Sequence, residues 1–320
     1  MKKEIGGTDL KKAQDKYNRH RILKKNLKRA IPLYLMLLLP VAWFLVFYYK
    51  PIGALQIAFK DYNPIMGVKD SPWVGFKHFT NFFSGPYALR TIRNTFMINV
   101  ISICTVFPIT ILFALLINEI PSKKAKAFVQ TASYMPHFIS SVIVAGLVVS
   151  FLSPSSGVVN LVLEKLGFEK QYFLIKPEYF RAIYVIMGGW QGIGFGTIIY
   201  TSAISSIDTT LYEAASIDGA GRFKQMWHVT LAGIMPTITI MLIMRLGSML
   251  SVGYETIILL YQPATYETAD VINTFVYRRG MVENDYSFST AVSMFNGVVS
   301  LVMVVIANTI AKKLSDTALW

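Results

Sequence analysis

Asp208-Thr-Thr-Leu-Tyr-Glu-Ala-Ala-Ser-Ile-Asp-Gly-Ala-Gly-Arg-Phe-Lys-Gln-Met-Trp-His-Val-Thr-Leu231 is the stretch on which the reading of this chain turns. It predicts a helix, a turn and a second helix. Thr210 and Glu213 have the spacing of a capping box, with Asp208 a competing N-cap, and Leu211, Ala214 and Ala215 follow at helical intervals. Gly219 and Gly221 permit the backbone that ends a helix, after which Phe223, Met226 and Trp227 recur every three to four residues. Helices shorter than about 12–15 residues are marginal in water without packing, so the hairpin is expected to dock onto another surface. The plainer alternative is a solvated hairpin whose Glu213 merely suits the helix dipole.

On either side of the hairpin the chain is apolar. Of 320 residues, 53% are hydrophobic and 15% charged, where a soluble domain carries about 25% charged residues. The excess apolar surface is expected to face lipid. A span needs about 20 apolar residues, and Ile31–Tyr49, Phe96–Ile117, Phe128–Leu152, Ala182–Ile207 and Phe288–Ala311 qualify without a Lys, Arg, Asp or Glu. A sixth stretch, Ile234–Tyr261, is long enough but contains Arg245 and Glu255. The expectation is an all-α integral membrane protein of six transmembrane helices, with 31–311 as the membrane domain and 208–233 as a hairpin between spans four and five.

The formal charge of +13 could suggest nucleic acid, but its distribution points to a membrane: residues 1–30 hold 11 basic and 3 acidic side chains. With the N-terminus inside, inner segments carry 18 Lys and Arg against 12 in outer ones. The positive-inside rule then places both termini, the 1–30 tail and the 312–320 tail, in the cytoplasm. The tail could also meet anionic lipid. Ile31–Tyr49 ends in Lys50-Pro51 rather than small residues and reads as a retained anchor, not a cleaved signal. Prolines and aromatics in 50–95 suit a folded outer flap. One cysteine, Cys104, excludes an internal disulfide, and no Cys/His spacing fits a metal.

Glu213-Ala214-Ala215, then Gly219, then Val229-Thr230-Leu231 resemble the coupling-loop motif of membrane subunits of ATP-binding-cassette importers. Asp218-Gly219-Ala220-Gly221 and the interval from Trp190 to Glu213 resemble the carbohydrate branch, the maltose-type permeases. The resemblance covers about residue 30 to the C-terminus. One departure stands out: the family's Leu-Pro is replaced by Leu231-Ala232, with Pro236 further on. The resemblance implies a type I importer permease fold and an ATPase-coupling surface of Glu213, Ala214, Ala215, Asp218, Gly219, Gly221, Phe223 and Trp227. It also implies a second homologous permease forming a heterodimer, two cytoplasmic ATPases holding ATP and Mg, and an extracytoplasmic sugar-binding protein. The chain is then a bacterial plasma-membrane transport subunit rather than an enzyme. The absence of any Gly-Lys pair, and so of a phosphate-cradling loop, agrees with a nucleotide site on a separate subunit.

Span four holds Gly188, Gly192 and Gly196 four apart, a face that either admits a neighbouring helix closely or leaves room beside Trp190, Gln191 and Phe195. Aromatic surface with amide groups suits sugars, and the resemblance implies sugar contacts at Gly188, Gln191, Gly192 and Phe195. Arg245 lies near mid-membrane, where a charge costs about 2.5–3.5 kcal/mol and must face the bundle. The resemblance implies a second contact group at Arg245, Ser248, Met249 and Val252. Arg245 either pins two subunits or binds an anionic saccharide bidentately; Glu255, ten residues on, is too far along one rigid helix to pair with it. Asn94, Asn99 and Asn296 suit interhelical hydrogen bonds, and His137 beside Pro136 suggests a kink in span three. An ion-driven secondary transporter would call for inverted repeats and several intramembrane carboxylates, of which only Glu255 qualifies. A membrane enzyme would call for a catalytic constellation, and none stands out.

Overall fold

The computed structural model describes residues 30–314; the basic 1–30 tail (but for Ala30) and residues 315–320 of the C-terminal tail lie outside the described residues. The chain divides into two compact units, one ending at Gln56 and one beginning at Ile57. The first holds most of helix α1 (Ala30–Phe59), which carries a π turn at Leu45–Tyr49 and a ladder of neighbouring aromatic rings at Trp43, Phe44, Phe47 and Tyr48. Aromatic clusters at a span's end suit the lipid–water boundary.

The second unit begins with a short folded segment. Phe59 stacks on Trp73 at 5.6 Å and meets Phe76 and Phe79, while Lys60 donates to the Val68 and Lys69 carbonyls. This segment leads through α2 (Lys77–Ser84) into α3 (Ala88–Asn118), so the expected flap is folded. After α3 come α4 (Lys123–Phe138), α5 (Ser141–Phe151), α6 (Pro177–Ser205), α7 (Thr209–Ile217), α8 (Arg222–Gly233), α9 (Met235–Gly247), α10 (Tyr254–Leu260), α11 (Ile272–Tyr277) and α12 (Tyr286–Leu314). No strand occurs among the described residues beyond the isolated Lys60–Trp73 bridge. α3 packs along α6, and α9 along α12.

Four helices, α1, α3, α6 and α12, are long and apolar enough to cross a membrane, and the number reaches six if each of two bent pairs counts as a span. Two expected spans are not single helices. The 128–152 stretch is broken between α4 and α5 by 94°. Pro136 lacks an N–H and crowds the preceding turn, the chain tightens to a 3-10 turn at Met135–Phe138, and Ile139 is extended. Ser140 then restarts the helix by accepting the Val142 N–H at 3.3 Å. The 234–261 stretch bends by 58° at its start, where Pro236 opens α9, and stops at Gly247; residues 248–253 are irregular before α10 begins.

Two other helices begin earlier than hydropathy predicts, α3 at Ala88 instead of Phe96 and α6 at Pro177 instead of Ala182. Arg93 and Arg181 bound the apolar windows, and both lie inside these helices with Arg90: Arg93 is exposed, Arg90 meets Asp270 at 3.0 Å and Arg181 donates to Asn94 at 2.9 Å.

Candidate functional site

The hairpin of α7 and α8 forms as the sequence predicts, but its cap is Asp208 and not the Thr210–Glu213 box. The Asp208 carboxylate accepts the Thr210 N–H at 2.9 Å, which holds its pKa below the ordinary carboxylate range. Gly219 turns the chain with φ of +75°, a region that costs other residues strain. Gln225 reaches across to Ser216 at 2.9 Å and to the Ala220 carbonyl at 2.8 Å, and Tyr212 bonds Thr230 at 3.0 Å. These bonds fix the angle between the helices. They leave Leu211, Ile217, Phe223 and Trp227 facing outward, Ile217 87% and Phe223 81% exposed. Glu213, Ala214, Asp218, Gly219 and Gly221 are exposed beside them, and Ala215 is half-buried. A contiguous apolar surface on a small, internally braced hairpin is suited to a partner.

Along α6, successive residues turn by about 100°, so Gly188, Gln191, Gly192 and Phe195 share one face while Trp190 lies on the opposite one. Trp190 borders two apolar grooves, one against α5 and one against α3. The glycines divide as well. A Cβ at Gly188 or Gly192 would meet nothing within 4 Å, so these two positions are open. The close helix approach is made elsewhere: Gly194 lies against the Ser133 backbone and Gly196 against Thr110. The expected close-packing face through Gly188, Gly192 and Gly196 therefore holds within this chain only at its Gly196 end.

The same face of α6 is tied to the α4–α5 break. Gln191 donates to the Ile139 carbonyl at 3.1 Å, satisfying a backbone group the break leaves free, and Phe195 stacks on His137 at 4.0 Å with planes 6° apart. Across from it stands the second break. Met249 and Val252 are buried, and the Val252 carbonyl accepts Asn273 at 2.8 Å, which is in turn 3.4 Å from Asn296. Arg245, Ser248, Ser251 and Glu255 are exposed. The Ser248 hydroxyl donates back to the Arg245 carbonyl at 3.0 Å, whereas the Arg245 guanidinium has no hydrogen bond or ion pair among the described residues. Because the helix stops at Gly247, the separation of Arg245 and Glu255 is no longer set by one rigid helix. Non-helical backbone at membrane depth is tolerated only where protein buries it or it lines a watery cavity. The two broken elements and the open Gly188 and Gly192 of α6 are therefore the candidate lining of a polar lane.

Outside this lane lies a cluster that the sequence reading missed. Asp270 is fully buried, and its carboxylate receives Arg278 at 2.7 Å, Arg90 at 3.0 Å and Thr274 at 3.0 Å. Burial opposes the Arg278 charge, but the bond to Asp270 and the nearby Tyr266 and Tyr261 hydroxyls leave its pKa raised. Asn94 donates to the Glu267 and Asp270 carbonyls, and Thr95 accepts the Ile272 N–H at 2.9 Å. The signal was a lone acid in the apolar run Ala269-Asp270-Val271-Ile272. Among the described residues no group of His, Cys, Asp and Glu could hold a metal.

Residues 106–316 match the family described as binding-protein-dependent transport system inner membrane component. The chain is similar to the polygalacturonan/rhamnogalacturonan transport system permease protein YteP of Bacillus subtilis (strain 168), 40% identical over 95% of both chains. It is equally similar to protein LplB of the same organism, 40% identical over 92% of each. Among solved structures it resembles a chain of a bacterial ABC transporter involved in the import of the acidic polysaccharide alginate, with TM-score 0.84 and 49% identity over 92% of this chain and 99% of that one. A related structure holds the alginate transporter in complex with a periplasmic protein bound to an alginate pentasaccharide.

Proposed function

The chain belongs to the family of binding-protein-dependent transport system inner membrane components, and from that premise we propose that it lines half of the membrane path of an importer for acidic oligosaccharides. It is a sugar importer permease of the ATP-binding-cassette class, a multi-pass transport subunit and not an enzyme, with the all-helical fold of type I permeases. Family membership sets aside the ion-driven alternative. In the proposed reading the broken stretches 128–152 and 234–261 each make one span, giving six with α1, α3, α6 and α12, while α8 stays outside the membrane as an arm of the hairpin; both termini are cytoplasmic, and the 18-to-12 excess of basic residues supports that orientation. A second, related permease completes the path, and two ATPases carrying ATP and Mg grip the hairpin through Glu213–Gly221, Phe223 and Trp227. An extracytoplasmic binding protein delivers the sugar, as in the alginate system.

The observation that carries the substrate class is Arg245: an exposed guanidinium at membrane depth with no hydrogen bond or ion pair among the described residues, one turn before the exposed Ser248. Such a group recognises a carboxylate with two parallel hydrogen bonds. Uronate-rich cargo is also what links the named substrates of YteP and the alginate importer. ATP-driven closure of the ATPases moves the hairpin and switches the lane between outward and inward access.

The complex reconstituted in liposomes with its ATPases and binding protein tests this. Uptake of trigalacturonate or alginate pentasaccharide is expected to exceed that of a neutral maltooligosaccharide. Arg245→Ala is expected to abolish acidic uptake while all subunits still copurify; loss of copurification instead would assign Arg245 to subunit pinning. Glu213→Ala is expected to weaken ATPase association and stimulated hydrolysis.

A further inference from the structure

Past Gly188 the same face of α6 carries Tyr184, half-buried and packed against the core around Val252 and Ile257. Tyr184, four residues earlier, falls on the same face as Gly188, Gln191, Gly192 and Phe195. Its hydroxyl has no hydrogen-bond partner among the described residues, and a Cβ at Gly253 would stand 3.9 Å from it. Directly after Gly253, at the first position of α10, Tyr254 stacks on Tyr277, the last residue of α11, with centroids 5.3 Å apart and planes 24° from parallel. The surrounding core is closed, with Val252, Ile257 and Ile272 buried. Yet Tyr254 and Tyr277 keep 37% and 38% of their surface. A stacked, half-open phenol pair therefore begins one residue after the glycine that lies against an unpartnered hydroxyl.

We propose that Tyr184, Tyr254 and Tyr277 form an outer subsite that stacks one pyranose ring of an incoming oligosaccharide before its carboxylate reaches Arg245. The inference rests on the lane reading above and extends it outward. A pyranose presents a C–H face to an aromatic ring and hydroxyls at its edge. The Tyr254–Tyr277 pair supplies the first contact, and the phenol hydroxyls of all three residues supply the second. The three tyrosines carry no charge of their own, so they read ring shape and chain length, while the anion is read deeper at Arg245. From Tyr184 to Phe195 the helix rises about 16 Å, longer than a single ring, so only an oligosaccharide engages both ends.

The reconstituted complex, assayed with alginate pentasaccharide and with the corresponding disaccharide, tests the subsite. Combined Tyr254→Ala and Tyr277→Ala substitutions are expected to raise the half-saturating pentasaccharide concentration about tenfold, the order of one aromatic contact. The disaccharide is expected to respond less than twofold, and Tyr254→Phe with Tyr277→Phe to restore at least half of the lost affinity. If the alanine pair leaves the pentasaccharide unaffected while Arg245→Ala abolishes its uptake, the outer subsite is wrong and the lane stands. Should neither change matter, both readings fall. Loss of the second permease on purification of the alanine pair would instead assign the tyrosines to the subunit interface and overturn the subsite.

Discussion

Two polar regions sit at membrane depth or just outside it, and they are built in opposite ways. Around Asp270 the carboxylate has three partners, and helices α3, α6 and α11 are tied together through Arg90, Arg181, Asn94, Thr95 and Thr274. Among the described residues, Arg245 along the lane has no ion pair or hydrogen bond, Gly188 and Gly192 face open space, and the Ser248 hydroxyl bonds back to its own helix. Buried charge is tolerated when paired, and the first region pairs it within one chain. The Asp270 carboxylate is fully partnered, although Arg90 Nε, Arg181 Nε and Arg278 Nη1 around it are buried without a hydrogen bond. In the second, Gln191 and Asn273 bond the backbone of the two breaks, while Arg245 is left without a hydrogen bond or ion pair among the described residues.

Breaking the scaffold side should produce the largest effect. Asp270→Ala leaves two arginines unpaired in a buried site, a change that costs about 3–5 kcal/mol. The expected result is a marked fall in the detergent-solubilised melting temperature and early proteolysis between 262 and 287. An unchanged melting curve would mean that Asp270 is not the tie it resembles here. Gly194→Ala sharpens the contrast within a single helix. Its methyl would run into the Ser133 backbone, an overpacking that costs about 1–3 kcal/mol. Gly188→Ala meets nothing and is expected to leave the melting temperature alone while reducing uptake. Equal destabilisation by both would erase the distinction between packed and open glycine faces.

The smallest effect belongs to the hairpin cap. Asp208→Ala removes the bond to the Thr210 N–H and is expected to speed amide exchange over residues 209–217 without disturbing the spans. Because the folded pKa is depressed, the cap contributes fully above the ordinary Asp value of about 3.9 and is lost as pH falls through the lower folded value. Wild-type and variant exchange should therefore differ at neutral pH and converge only in strong acid.

The sequence was most legible where local rules act alone. Gly219 and the Phe223–Trp227 spacing predict the hairpin because turn chemistry and amphipathic period are local properties. Charge-free runs predict α1, α3, α6 and α12 because lipid demands length and hydropathy from each segment separately. The prolines at 136 and 236 hinted at the breaks, but hydropathy averages over a kink and reads each stretch as one span. The choice of Asp208 over Thr210 as cap was open in the sequence, since both had suitable spacing.

Sequence by itself thus determined that this chain is a bundle of apolar helices interrupted by a helical hairpin. Those features follow from composition and from contacts a few residues apart. Only the tertiary structure decided which polar residues are spent on one another. Arg90 and Asp270 are 180 residues apart, and Arg181 and Asn94 are 87. A charge that ends an apolar window looks the same in sequence whether it meets water, a buried partner or a substrate. The fold separates these cases by placing Arg90 on Asp270 and leaving Arg245 without a hydrogen bond or ion pair among the described residues.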